Sequence, residues 1–202
     1  MKIITVSREF GSGGREIGKR LADELGFAYY DREIVSAIAE KTSLDEGYIE
    51  RTLDSSILNQ VYPVTFSRTF AFSYHNIANA TNLLAKQHQV VRELSQKGDC
   101  VIVGRSADAL LSDLNPFKLF VYADMQSKID RCKKRAEEGE NFTDKEYKKK
   151  IEKIDKARAE NHDFVSSYAW GDMKNYDLCI NTTNIDIKAI VPTLAEYIKT
   201  IY

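Results

Sequence analysis

The stretch Phe10–Gly18, FGSGGREIG, decides how the rest of the chain is read. It follows a β-branched run, Lys2–Ser7, and opens a segment, Gly13–Leu25, in which Ile17, Leu21 and Leu25 recur at helical spacing. The pattern is strand, glycine loop, helix. Gly11, Ser12, Gly13 and Gly14 carry so little side chain that backbone N–H groups can approach an anion closely, and the amino end of a helix favours negative charge there. Phosphate is the natural ligand of such a loop.

Three readings of the loop stay open on the residues alone. An ordinary kinase loop runs Gly, four residues, Gly-Lys-Ser/Thr, with the lysine neutralising the outer phosphates and the hydroxyl holding Mg²⁺. Here Gly14 stands where lysine is expected, Arg15 follows it, and Glu16 falls near the hydroxyl position. Arg15 can supply the charge as a planar fork, which is not a neutral exchange for a point charge. A dinucleotide loop calls for a third glycine at position 16, where Glu16 stands, although Gly18 lies close and Asp31 sits about where a ribose-binding acid would follow. A tight turn with no ligand uses glycines for the same conformational reason.

Outward from the loop, Gly26 closes the first helix and Phe27–Tyr30 reads as a short strand. Asp31 is placed to cap a helix carrying Ile34, Val35, Ile38 and Ala39. Further strands are expected at Cys100–Val103, Lys118–Tyr122 and Leu178–Asn181, with helices near Ala78–Gln96, Gln126–Glu138, Lys145–Asn161 and Ile187–Ile201. Strands alternating with helices imply an α/β fold with a mostly parallel sheet covered on both faces. The aromatic-rich Tyr62–Tyr74 and the charged Glu137–Trp170 fit that sheet less well and are candidate flaps over its carboxyl edge.

A chain of 202 residues with 43% hydrophobic content holds one α/β domain, with room for a small appended subdomain. Its formal charge of −1 gives no global basic field, which argues against nucleic-acid or membrane binding by bulk electrostatics. With no apolar leader and no run of about 18 apolar residues, a cytoplasmic protein is expected. Cys100, Cys132 and Cys179 lack metal-ligand spacing and read as buried thiols, and His75, His88 and His162 form no cluster with them. No protein metal ligand set is expected.

Local anion chemistry falls to the arginines. Arg105 follows Gly104 at the end of the strand Cys100–Val103, so it emerges at the sheet edge near the loop. Arg131 and Arg135 are one helical turn apart and share a face, and Lys156 and Arg158 follow in a second charged helix. Guanidinium groups suit bidentate contacts to phosphate. Lys148, Lys149 and Lys150 read as a solvated face.

Four segments together make a resemblance specific: ITVSREFGSGGREIGKRLADELG, the YYD that follows, CVIVGRSAD leading to FKLFVYAD, and KIDKARAENHDFVSSYAWGDMKNYDLCINT. In that order they resemble the cytidylate kinase-like family, relatives of bacterial cytidylate kinase within the P-loop nucleoside monophosphate kinases. The resemblance implies a three-layer α/β/α P-loop kinase fold with a five-stranded parallel sheet. It further implies one domain, residues 1–202, with an acceptor-binding insertion at about 31–97 and a lid at about 137–170.

By the same resemblance, Gly11, Ser12, Gly13, Gly14, Arg15 and Glu16 form the ATP-binding loop, and Arg105 and Asp31 bind the acceptor. Asp31 is expected to orient that acceptor or help hold Mg²⁺. Arg15, Arg131, Arg135 and Arg158 are the expected catalytic cations, Arg158 as a lid arginine closing on the transferring phosphate. Ser36-Ala37 replaces the Tyr-Arg pair of authentic cytidylate kinases, and Ser106 replaces the aspartate after Gly-Arg, so the specificity for cytosine is not carried over. The implied activity is phosphoryl transfer from ATP, with Mg²⁺, to a nucleoside monophosphate. The alternative is a nucleotide-binding regulatory protein of the same fold without turnover.

Overall fold

The β-branched run that precedes the loop forms the central strand of a five-stranded parallel sheet, ordered β2-β3-β1-β4-β5. A computed structural model describes residues 1–55, 70–136 and 142–201, and the side chains of all of these except 70–80. Its strands are β1 (Ile3–Arg8), β2 (Ala28–Tyr30), β3 (Cys100–Val103), β4 (Phe117–Tyr122) and β5 (Leu178–Asn181). Its helices are α1 (Gly14–Leu25), α2 (Arg32–Thr42), α3 (Glu46–Asp54), α4 (Phe70–Ser95), α5 (Ala107–Leu110), α6 (Met125–Lys134), α7 (Asp144–Val165) and α8 (Ile187–Ile201).

Alternation along β1 sorts the layers. Ile4 and Val6 point to one face, where Ile17 and Leu21 of α1 meet Ile187, Leu194 and Ile198 of α8. Ile3 points to the other, packing with Ile34 and Ile38 of α2, Ile49 of α3 and Val90 and Val91 of α4. Each such side chain, once fully buried, contributes about 1.5–3 kcal/mol against the entropy of ordering the chain. The expected three-layer α/β/α P-loop kinase fold is what forms. A third, smaller cluster of Ile129, Tyr147 and Ile151 joins α6 to α7 and takes in Phe10 from the loop.

Several boundaries differ from the expectation. Helix α4 begins at Phe70 rather than near Ala78, so residues 70–74 of the aromatic stretch are helical; residues 62–69 lie outside the described ones. The helix expected to reach Glu138 stops at Lys134, with Arg135 as its C-cap, and residues 137–141 also lie outside. Most of the charged stretch is α7, whose start is fixed by a reciprocal capping box between Thr143 and Glu146. The sequence reading passed over α3, which Asp45 caps through the Tyr48 N–H. Of the three cysteines only Cys100 is buried; Cys132 and Cys179 are half-buried.

Asp31 is not the side-chain cap expected of it. It occupies the N-cap position of α2 without accepting a capping hydrogen bond, and its own N–H is received by Glu33 Oε2 at 2.9 Å. The physical reason is competition, because two guanidinium groups claim the carboxylate.

Candidate active site

The loop after β1 lies at the carboxyl edge of the sheet, the edge at which open α/β sheets bind ligands. Gly11 and Gly13 take positive φ angles of 77° and 87°, a left-handed conformation that side chains disfavour. Ser12 turns inward: its hydroxyl donates to the Glu9 carbonyl at 2.8 Å, and its own carbonyl accepts from Thr182 Oγ1 at 2.7 Å. The far side of the loop is tied down as well. Asp155 of α7 accepts the Phe10 N–H at 2.6 Å, and the buried Lys128 of α6 bridges Glu9 at 3.0 Å and Asp155 at 3.6 Å. Burial pushes the Asp155 carboxyl up despite its cationic neighbours.

Among the described residues two cavities meet over the loop, and a third, of about 700 Å³ and lined by Glu16 and Asp31, adjoins the first through Arg15 and Arg135. The first, of about 260 Å³, lies over the loop and is lined by six cationic side chains, Arg8, Arg15, Arg131, Arg135, Lys150 and Arg158. Its one carboxylate among the described residues, Glu9, is already paired with Lys128. Lys150 thus belongs to the site wall and not to the solvated face expected for it. The second cavity, of about 350 Å³, lies between β3, α3, α4 and α7, and Arg105 lines it. Arg8, Phe10, Arg15 and Arg158 line both and form the shared wall.

The expected site residues separate into groups. Gly11, Gly13 and Gly14 line the first cavity; Ser12 is buried behind it, and Glu16 stands outside, binding Arg135 at 2.5 Å and Arg20 at 2.9 Å. Arg131 donates through Nη2 to the Thr182 carbonyl, while its Nη1 is buried with no partner among the described residues. An orphaned guanidinium nitrogen on a cavity wall is a place for an anionic oxygen. Arg15 reaches Asp31 at 2.6 Å, and Arg8 approaches the same carboxylate at 3.7 Å. Asp31 therefore sits behind the guanidinium groups rather than on the wall of the second cavity.

Arg105 adopts φ 56° and Ser106 φ 53°, two successive left-handed residues without glycine's freedom, each costing about 1–3 kcal/mol. The Arg105 carbonyl accepts from Gln87 Nε2 at 3.3 Å, and its guanidinium donates to Asp54 at 2.8 Å. Arg158 stands on α7 with Asp155 and His162 at spacings that place all three on one face. Its Nη1 donates to the Arg8 carbonyl at 3.1 Å and its guanidinium lies 5.6 Å from the Phe10 ring centroid. Burial pulls the Arg158 pKa down.

A buried polar network supports this wall. Asp108 of α5 accepts from Ser7 Oγ at 3.1 Å and Tyr168 OH at 3.2 Å, and meets His162 Nε2 at 3.0 Å. Sequence reasoning passed over Arg8, Lys128, Asp155 and this network. For Arg8 a signal existed, since counting the kinase-loop pattern back from Gly13 puts its first glycine at position 8, where arginine stands.

The residues present do not fit a protein-held Mg²⁺. The Ser12 hydroxyl is committed to Glu9, Arg15 follows Gly14, and Asp31 is held by guanidinium groups. Among the described residues no group of three or more His, Cys, Asp or Glu is arranged to hold a metal. Likewise, no described helix is long and apolar enough to cross a membrane.

Comparison with known proteins agrees with the fold. The model of the cytidylate kinase-like family matches residues 3–184. No curated protein matches the chain. An uncharacterized protein from Eubacterium ventriosum is similar in structure, with 25% identity, a TM-score of 0.67, and 98% of this chain and 99% of that one covered. Shikimate kinase from Bacteroides thetaiotaomicron shares the fold at 14% identity and a TM-score of 0.60, covering 98% of each chain. Deoxyadenosine kinase from M. mycoides does so at 12% identity and 0.50, covering 100% of each.

Proposed function

The chain belongs to the cytidylate kinase-like family, and from that premise we propose that it is an ATP-dependent phosphotransferase whose acceptor is a nucleoside monophosphate of the cytidylate type. The observation that carries this reading is the pair of cavities meeting at one guanidinium wall, Arg8, Arg15 and Arg158. Phosphoryl transfer asks a protein chiefly for positioning and charge neutralisation, and such a wall supplies both. In this reading the donor phosphates lie in the first cavity against loop N–H groups. The acceptor lies in the second with its phosphate toward Arg105, residues 31–97 form its binding insertion, and residues 137–170 form the lid. Asp31 and Glu16 position Arg15 and Arg135 instead of touching substrate. A small-molecule substrate and a cytoplasmic setting belong to the same reading.

A coupled assay of ATP consumption across a panel of nucleoside monophosphates, CMP among them, tests it, with turnover expected for at least one of them. ATP binding without turnover on any acceptor would replace it with the regulatory alternative.

Arg15 gives a second test. Half exposed and joined to Asp31, it lends charge to the donor phosphates from the wall. Arg15→Ala is expected to weaken ATP binding by about tenfold, since a hydrogen bond to a charged group is worth roughly 1.5–3 kcal/mol. Calorimetry with ATP reads this directly, and an unchanged affinity would make Arg15 merely the partner of Asp31.

A further inference from the structure

Two departures from the kinase-loop pattern are one change seen from its two ends. The pattern places lysine six residues after its first glycine; here arginine stands at the glycine position, Arg8, and glycine at the lysine position, Gly14. In space the two are in contact. A Cβ at Gly14 would lie 2.5 Å from the Arg8 Cβ and 3.1 Å from its Cγ, so the stem of Arg8 takes the room a side chain at 14 needs. At its other end Arg8 lies on Gly104, where a Cβ would come within 1.8 Å of Nη1. Glycine at 14 and at 104 makes the groove in which this side chain runs.

We propose that Arg8 performs the task of the absent loop lysine, delivering its charge from the opposite end of the loop to the phosphoryl group as it passes between the two cavities. This rests on the phosphotransferase reading for the identity of that group. Charge balance supports it independently. The Arg8 side chain is only 14% exposed, and its one carboxylate neighbour among the described residues, Asp31, is 3.7 Å away and already bound by Arg15 at 2.6 Å. Burial first, then Arg158, with further contributions from Arg105 and Arg15, pulls the Arg8 pKa down to about 9 against the pull of Asp31. A buried guanidinium among three others is held at a cost that an incoming phosphate oxygen removes. Arg15 lends its charge from a half-exposed position paired with Asp31, and the buried position between the cavities is that of Arg8.

The test uses Arg8→Met, which keeps the stem and removes the charge, Arg8→Lys, which keeps a charge, Arg8→Gly, Gly14→Lys, and the exchange Arg8→Gly with Gly14→Lys. ATP calorimetry, turnover and thermal melting are read on each. Arg8→Met is expected to weaken ATP binding and lower turnover by about tenfold or more, Arg8→Lys to lose less, and Gly14→Lys alone to melt early. The exchange should recover turnover above Arg8→Gly alone. Wild-type behaviour in Arg8→Met, or an exchange no better than Arg8→Gly, overturns the proposal. If the wild type binds ATP through Arg8 yet serves no acceptor, the phosphotransferase reading fails and Arg8 remains the phosphate cation. If no variant and no wild type binds ATP, both fail.

Discussion

Arg158→Ala is expected to cut maximal turnover by about a hundredfold, on the scale of losing one preorganised transition-state donor, while leaving ATP affinity nearly unchanged. The expectation follows from where the guanidinium is held. It lines both cavities, is aimed by the Arg8 carbonyl at 3.1 Å and by Asp155 at 3.7 Å, and lies over the Phe10 ring. A cation fixed between donor and acceptor meets the most negative charge when the phosphoryl group is in flight. Equal attraction to substrate and transition state would lower the Michaelis constant without raising the saturated rate. Single-turnover rates at saturating ATP, beside melting curves, check this. If turnover survives and only affinity or melting temperature falls, Arg158 is a binding or structural residue.

Asp108→Asn is expected to cost about 3 to 5 kcal/mol, the range for breaking a buried ion pair from one side, and to lower the melting temperature by roughly 6 to 20 °C for a chain of this size. Asp108 and His162 are 0% and 1% exposed. Burial pushes the Asp108 carboxyl up, but the His162 hydrogen bond and charge, with the Ser7 and Tyr168 hydroxyls, outweigh it and hold it below the ordinary carboxylate range. For His162, burial opposes the charged form, and hydrogen bonds and charge from Asp108 and Asp163 outweigh it, so its pKa is raised.

The signs set the pH window. The histidine contribution is complete below its unfolded value of about 6.5 and is lost as pH rises through the raised folded value. The aspartate contribution is present above about 3.9 and is lost as pH falls through the lowered one. The stability gap between wild type and Asp108→Asn should therefore be widest from about pH 4 to 6.5 and narrow at alkaline pH. A gap that stays constant to pH 9 would mean that His162 is neutral and the network is held by hydrogen bonds alone.

What the sequence made legible was local. Lys2–Leu25 could be read because a β-branched run, a glycine cluster and helical spacing at Ile17, Leu21 and Leu25 all agree. Arg105 could be placed at the sheet edge because it ends a buried strand. Pairings across the fold left no such trace: Asp108 and His162 stand 54 residues apart, and Phe10 and Asp155 stand 145 apart. Asp31 misled for a related reason. Its position is that of a cap, and only the arrival of Arg15 and Arg8 from other elements turns the carboxylate away.

The contact between Arg8 and Gly14 also constrains how this loop can change over generations. A lysine arising at 14 meets the Arg8 stem, since its Cβ alone would come within 2.5 Å. Loss of Arg8 by itself leaves the loop with neither Arg8 nor a lysine at 14. Each single step back toward the ordinary pattern passes through a worse protein, so the pair acts as a ratchet. A lineage that has acquired it is separated from a lysine-bearing loop by at least two simultaneous changes, and its descendants are expected to adjust specificity around the arginine.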